Sequence, residues 1–278
     1  MVTKEQILAA LESTKLPCVR IVPEPDRTPG PTDSKFGGDY YLPVGTEASE
    51  LEFLAQINFA QVPHLEGFPE KGLLQFFLHT EDERFESFIE DESVFLPDSG
   101  FFQIRWYPDV PQDGPSHSDV VFEKRWPMEK VIGGMKFEPA EEPATVAFGN
   151  EEDIIADLGF ADAAKLVETL FLEASEDEDE DEDEDGEGYD LGDCSGVDGL
   201  IEDFGNWGIK LGGHPALRYD DFRLESEMFQ AYSRLLFQFD LTPDSRDGDA
   251  DTFCFFIRPE DLNACRFDDI LLTWHNCY

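Results

Sequence analysis

The chain has 278 residues, of which 41% are hydrophobic and 13% aromatic, and its formal net charge is −43. With 25 phenylalanines it can bury a large core, so the composition excludes a protein that is disordered throughout. The strong negative charge repels phosphate backbones and anionic lipids, which excludes nucleic acid and membrane surfaces as direct partners.

The first 50 residues predict one helix followed by extended chain. Thr3 and Gln6 have the spacing of a capping box, so we expect a short amphipathic helix over residues 3–14. Residues 17–50 are rich in proline and glycine, which predicts mostly extended chain and turns.

The first strand signal is an alternation of apolar and polar residues over Phe53–Phe59. It places Ala55 on the same face as Phe53, and Gln56 and Asn58 on the opposite face. Five further strands are predicted at Leu73–Leu78, Phe101–Tyr107, Val120–Trp126, Phe253–Ile257 and Ile270–Trp274.

The middle of the chain changes character twice. Residues 150–173 have helical spacing, and residues 174–205 contain ten consecutive acids from Glu176 to Asp185. We expect this acidic insert to be disordered, because like charges at successive positions cannot be relieved by pairing. Removing these ten charges from the net charge of −43 still leaves −33, so the remainder of the protein is itself acidic.

The last part of the chain repeats the order of the first part. Leu235 and Phe237 share one predicted strand face, Gln238 and Asp240 share the other, and a short helix is expected from Pro259 through Asn263. Four pairs match in order at offsets of 175, 182, 179 and 179: Gly37 with Gly212, Gln56 with Gln238, Phe76 with Phe255 and Glu81 with Glu260. This repetition predicts an internal duplication.

The predicted fold is therefore α+β and β-rich, with two related sheet-containing halves and peripheral helices. We divide the chain into an N-terminal helix and extended segment (1–34), a first half (35–149), a helical connection (150–173), the acidic insert (174–205) and a second half (206–278). The whole chain, 1–278, is treated as one unit.

Candidate binding residues come from the repeated strings. Each glycine pair can form a tight turn or, beside Lys210, a nest of N–H groups for an anion at Gly212 and Gly213. Gln56 and Gln238 are amides in apolar strands; each either ties down a nearby turn or lines a cleft between the halves. The candidate cleft or partner-binding set is Gln56, Asn58, Lys210, Gly212, Gly213, Gln238 and Asp240.

Catalytic and cofactor signatures do not stand out. The sequence has no P-loop, HExxH, GxSxG or GxGxxG motif, and its five histidines are not at metal-ligand spacing. We therefore assign no catalytic residue, metal or cofactor. The five cysteines form no CxxC pair, and no apolar run approaches the ~20 residues of a membrane span. These features favour a cytoplasmic protein.

Seven strings together resemble the YwqG-like family of bacterial proteins, a domain family of unknown function. The strings are SKFGGDYYLP, LEFLAQINF, GLLQFFL, KLGGHPALRYD, LLFQFD, FFIRPEDL and WHNCY, and the resemblance covers about Phe36 to Tyr278. It implies an α+β fold built on an internal duplication, and it implies no activity. The acidic run is not part of the family pattern, and Ile209 stands where family members often have histidine.

The composition favours a non-catalytic binding protein over an enzyme, with a basic protein that it neutralises as its partner. The alternative is a small-ligand receptor or enzyme with a cleft between the halves. A third possibility is diffuse binding of divalent cations by residues 176–185, which lack the pattern of an EF-hand.

Overall fold

A computed structural model describes residues 3–79, 93–110, 116–117, 132–146, 151–160, 205–217, 221, 223, 226–240 and 252–275. The predicted strand Val120–Trp126, residues 174–204 of the acidic insert and residues 161–173 of the helical connection lie outside these residues. Within them, no helix is long and apolar enough to cross a membrane.

The described elements are mostly strands. They are β1 (Leu16–Glu24), β2 (Lys35–Phe36), β3 (Tyr40–Tyr41), β4 (Glu52–Asn58), β5 (Leu73–Leu78), β6 (Ser93–Phe95), β7 (Phe102–Tyr107), β8 (Ser116–His117), β9 (Gly133–Glu142), β10 (Lys210–Gly212), β11 (Arg234–Asp240), β12 (Thr252–Ile257) and β13 (Ile270–His275). The α-helices are α1 (Lys4–Glu12), α2 (Glu151–Asp157), α3 (Glu227–Gln230) and α4 (Pro259–Asn263).

One antiparallel sheet of eleven strands forms the body of the protein. Its order is β6-β13-β12-β11-β10-β1-β9-β2-β4-β5-β7, and β3 and β8 form a separate pair. The two edge strands, β6 and β7, are joined by residues 96–101 alone. Such a short connection spans at most ~20 Å, so the two edges lie near each other and the sheet is a nearly closed barrel.

The core lies inside this curved sheet. The ring of Phe76 on β5 lies 4.6 Å from that of Phe237 on β11 and 4.9 Å from that of Phe255 on β12, although several strands separate them along the sheet. Contact between such distant strands requires the curvature. All three rings are fully buried and belong to one large apolar cluster.

A β-bulge interrupts the predicted alternation in each half. The bulges lie between Phe53 and Ala55 on β4 and between Leu235 and Phe237 on β11. Each bulge leaves the second residue of its strand, Phe53 or Leu235, on the outer face, where it packs in a smaller cluster, while the next two residues point inward. The prediction that Phe53 shares a face with Ala55, and Leu235 with Phe237, was therefore wrong.

The long strand β1 begins the segment 17–50, which was expected to be mostly extended chain and turns. It contains Pro17 and Pro23, yet it has neighbours on both sides. The Ile21 N–H donates to the carbonyl of Ile209 at 2.8 Å, so the backbone N–H and C=O groups of the odd-numbered residues of β1 point toward β10. Because β10 pairs only with residues 18–20, both prolines face past its ends, where no N–H is needed.

The remaining predicted elements agree closely with the structure. Helix α1 has both hydrogen bonds of the Thr3–Gln6 capping box, and α4 begins at Pro259. The predicted strands around Gln56, Phe76, Gln238 and Phe255 are β4, β5, β11 and β12. The β-rich class with few short helices is confirmed.

Candidate functional site

Gln56 lies on the outer face of β4 under the loop that precedes it. Its Nε2 donates to the carbonyls of Pro31 and Asp33 at 2.9 and 2.7 Å, and its Oε1 accepts from the N–H of Tyr41 at 3.0 Å. The Gln75 side chain also donates to that oxygen at 3.1 Å. Gln56 is fully buried, so its amide holds the loop around Gly37 and Gly38 onto the sheet and has no group left for a ligand.

Gln238 makes the same set of contacts in the second half. Its Nε2 donates to the carbonyls of Asn206 and Gly208 at 3.0 and 2.8 Å, and its Oε1 accepts from the N–H of Ala216 at 2.7 Å. These three partners follow those of Gln56 by a constant offset of 175 residues. The Cys254 thiol occupies the place of Gln75, since it contacts Gln238 Oε1 and the Ala216 carbonyl at 3.7 Å.

The two glutamines do not meet. Strands β4 and β11 are separated by β2, β9, β1 and β10 in the sheet. Each glutamine lies under its own loop, with the loop backbone as its main partner. The structure therefore brings each amide to the glycine pair of its own half and does not bring the two amides together.

Lys210 forms a buried ion pair at the middle of the sheet. Its Nζ lies 2.5 Å from Glu142 Oε2 on β9 and donates to the Asn206 carbonyl at 2.7 Å. The two side chains are 1% and 2% exposed, and Arg20 contacts the second carboxylate oxygen at 3.2 Å. Desolvation lowers the pKa of Lys210, and the Glu142 carboxylate opposes that shift.

Gly212 and Gly213 both have positive φ, at 68° and 73°. A Cβ on Gly213 would lie 2.8 Å from Cys18 Cβ and 3.1 Å from Glu142 Oε2. The glycines therefore allow the turn and also the close approach of this turn to the ion pair. Burial raises the pKa of the Cys18 thiol to about 12, so the neighbouring thiol is a poor nucleophile.

Asn58 and Asp240 end β4 and β11 at matching places. Asn58 Nδ2 donates to the Thr32 carbonyl at 2.8 Å, and its Oδ1 accepts from the Ala60 N–H at 3.1 Å. Asp240 is buried and accepts from the Gly208 N–H at 3.1 Å. Asn58 also lines a surface cavity of about 760 Å³ together with Asp33, Lys71 and Asp109.

A second cavity lies where the barrel fails to close, and the sequence did not indicate it. This seam pocket has a volume of about 570 Å³ and includes Glu47, Glu50, Phe102, Ile104, Asp268 and Ile270 in its lining. The residues come from β7, from the start of β13 and from the loop before β4. No local sequence signal identifies the pocket, because it depends on how far the sheet curls.

Lys35 is a second buried lysine, and it was not among the candidate residues predicted from the sequence. It pairs with Gln56 in the register of β2 and β4, as Lys210 pairs with Gln238 in β10 and β11. Its Nζ donates to the carbonyls of Gly30 and Asp39 at 2.5 and 3.0 Å. The same 175-residue offset relates Lys35 to Lys210 and could have revealed it.

Comparison with known protein families matches residues 34–277 to a domain of unknown function, DUF1963. The chain belongs to the DUF1963 family. The match covers both glutamines, the Lys210–Glu142 ion pair and the seam pocket. A search of curated proteins finds no match to this DUF1963 chain.

Proposed function

We propose that this DUF1963 protein is a non-catalytic binding protein whose partner is a basic protein, which it neutralises by covering the partner's cationic surface. The proposal includes membership of the YwqG-like group and action in the cytoplasm. One observation carries it: the described cations are already occupied within the protein, while many described carboxylates are not.

The cations are occupied in two ways. Most described lysines and arginines have a carboxylate partner, as in Lys15 with Glu12 and Arg258 with Asp269. Lys35, Arg105 and Arg234 instead donate to backbone carbonyls. The positive groups of the described surface are thus held by internal contacts.

The exposed carboxylates are in surplus. The following are exposed and have no salt bridge to another described residue: Asp26, Asp39, Glu47, Glu50, Glu66, Asp98, Glu141, Asp153, Asp157, Glu227, Glu260 and Asp268. A surface with such an excess creates a field that accelerates association with a cationic protein.

We also infer that the two halves arose by duplication of one unit. The support is the repeated contact pattern: Gln56 and Gln238 hold backbone groups related by one offset, and the bulges of β4 and β11 fall at matching residues. In this proposal the copied unit is a scaffold, because its repeated polar residues bond to the protein's own backbone.

A small-ligand receptor is the second candidate. It is favoured by the cavity beside Asn58, whose volume of about 760 Å³ lies within the usual range of ligand sites, ~300–1,000 Å³. Asp33, Lys71 and Asp109 would provide both signs of charge for a polar ligand.

Capture on the immobilised full chain from native extract, at low and at high salt, tests the main proposal. We expect a basic protein to be enriched at low salt. The same protein, once purified, should bind with an affinity that falls steeply between 50 and 200 mM salt, about the range over which screening strengthens. If no basic protein is enriched at low salt, or if binding of the purified protein is independent of salt, the proposal is wrong.

A further inference from the structure

The seam pocket lies along a strand edge and not over a sheet face. Four consecutive residues of β7, from Phe102 to Arg105, line it. Successive side chains of a strand point to opposite faces, so one pocket can touch all four only if it follows the edge. β7 is the last strand of the sheet on this side, and no other described strand pairs with its outer edge.

The backbone of β7 presents hydrogen-bonding groups to this pocket. The Phe101 carbonyl accepts from the His79 N–H at 2.8 Å, on the side of β5. Because backbone groups alternate in direction along an antiparallel strand, those of Phe102 and Ile104 point the other way, toward the seam. The stretch from residue 102 to 105 has the length of about four extended residues, or ~13 Å.

The opposite wall of the pocket is the start of β13. The short strand β6 pairs with β13 only from Leu272 to Trp274, so it does not extend to Ile270, which lines the pocket. At one end the ring of Phe267 packs on Trp106 with centroids 4.8 Å apart. At the other end residues 97–100 connect the two edges. The seam is thus about four residues long, bounded at its ends by these contacts and open to solvent along the side of Glu47, Glu50 and Asp268.

The rim of the pocket is acidic and its floor is apolar. Glu47, Glu50 and Asp268 are exposed on the rim, while Phe102 and Ile270 are buried below. The one cation in the lining, Arg105, is occupied: it donates to the Glu47 carbonyl at 2.9 Å and lies 5.1 Å above the Phe77 ring. The free charge that a ligand would meet is therefore negative.

We propose that the seam pocket binds an extended basic segment of the partner, which adds a short strand to β7. Its backbone pairs with the outward groups of Phe102 and Ile104. Alternate side chains of the segment place cations beside Glu50 and Asp268 and apolar groups toward Ile270. This inference rests on the proposed function, since it names the surface with which that function is performed.

The charge of the pocket favours a basic segment over a second copy of this chain. Pairing of two seams would bring Glu47, Glu50 and Asp268 of one copy against the same acids of the other. Like charges directly opposite each other on paired strands are destabilising, whereas lysine or arginine side chains neutralise the rim. Recognition through added strands uses backbone hydrogen bonds for affinity and alternate side chains for specificity.

The test uses the full chain and the peptide acetyl-Lys-Val-Lys-Val-Lys-amide, with binding measured by isothermal calorimetry at low salt. Two control peptides accompany it: the same sequence with both valine amides N-methylated, and acetyl-Glu-Val-Glu-Val-Glu-amide. We expect the unmodified basic peptide to bind and both controls to bind at least about tenfold more weakly. The N-methylated peptide lacks the valine N–H donors, and the glutamate peptide carries negative charge in place of positive charge.

Two double variants reverse the same number of negative charges, one pair on the rim of the seam pocket and one pair away from it. Glu50→Lys with Asp268→Lys alters the rim, and Asp26→Lys with Glu141→Lys alters exposed acids near the central strands β1 and β9. We expect the rim variant to bind the peptide at least about fivefold more weakly and the control variant less than about twofold. The milder pair Glu50→Gln and Asp268→Asn gives a second reading if the reversed rim does not fold.

The outcomes separate this inference from the proposed function. Equal losses for both double variants, or equal binding of the N-methylated peptide, would overturn strand addition at the seam. A dimer of the wild-type chain that the rim variant abolishes would assign the seam to a second copy and overturn the proposal as well. If a purified basic partner binds with salt-sensitive affinity but is unaffected by the rim variants, the proposed function stands and the seam assignment fails.

Discussion

Lys35 and Lys210 occupy matching places in the sheet but have different partners. Each is buried and lies opposite a glutamine of the neighbouring strand. Lys210 forms an ion pair with Glu142, whereas Lys35 donates to the carbonyls of Gly30, Pro31 and Asp39. A carboxylate thus neutralises the buried charge of Lys210, whereas carbonyl oxygens solvate that of Lys35.

This difference predicts an alkaline effect on stability. Burial lowers the pKa of Lys35 to about 8, from 10.5. Between these values the unfolded chain binds more protons at this residue than the folded chain, so its contribution to the free energy of unfolding rises with pH. The free energy of unfolding of the wild type minus that of Lys35→Met should therefore increase from pH 8 to pH 10.5, as measured by urea unfolding.

The control for that experiment is Lys71→Met. Lys71 is exposed, and its hydrogen bond with Asp109 raises its pKa, so its contribution is lost as the pH rises through the folded-state pKa. If Lys35→Met shows the same pH trend as Lys71→Met, the ammonium group of Lys35 is not buried as described.

The buried amide of Gln56 should contribute more to the free energy of unfolding than an ordinary surface contact does. Gln56→Leu leaves the Tyr41 N–H and the carbonyls of Pro31 and Asp33 without their partner, which should lower the free energy of unfolding by about 2–4 kcal/mol. Gln238→Leu should cost about the same. Asn263→Leu at an exposed position of α4 should change stability by less than about 0.5 kcal/mol. Equal effects at the buried and exposed positions would refute the role of the networks.

The glycine pairs offer a matched comparison between the halves. Gly38 and Gly213 have φ values of 67° and 73° and are related by the 175-residue offset. Alanine at Gly38 meets open space, so it should cost only the ~1–2 kcal/mol of the left-handed backbone. Alanine at Gly213 also collides with Cys18 and should cost at least about 1 kcal/mol more. Equal costs in chemical denaturation would contradict the close approach.

The buried ion pair predicts a strong energetic coupling between Lys210 and Glu142, which are 68 residues apart in the sequence. Lys210→Met leaves the Glu142 carboxylate buried beside Arg20 alone, which should destabilise the protein by about 3–5 kcal/mol. Adding Glu142→Leu removes that isolated charge, so the double variant should be more stable than the sum of the single variants predicts. A double-mutant cycle with additive effects would show that the two groups are not coupled.

The fully buried strands β5 and β12 could be predicted from the sequence, and so could the two helices with clear start signals. Thr3, Gln6 and Pro259 act within one helical turn, and the apolar runs of β5 and β12 are local signals. The bulges at Leu54 and Leu236 were missed, because the position of an extra residue in one strand is set by its pairing with the neighbouring strand.

The candidate site was harder to predict because it also depends on partners that are far away in the sequence. The sequence pointed to Gln56, Gln238 and Lys210, and the structure gives all three backbone or ion-pair partners. The partner of Lys210, Glu142, lies 68 residues away on a strand that the sequence did not predict. The seam pocket combines residues near 50, 103 and 268, which come together only through the curvature of the barrel.

The most direct test of the central claim is the position of the bound peptide on the barrel. Amide resonances of the isotopically labelled chain would be followed while acetyl-Lys-Val-Lys-Val-Lys-amide is added. If the peptide adds a strand to β7, the largest shifts fall on the amides of Phe102 and Ile104, with little change at Glu141 on the far strand β9. Shifts spread evenly over exposed acids, with none at Phe102 and Ile104, would contradict it.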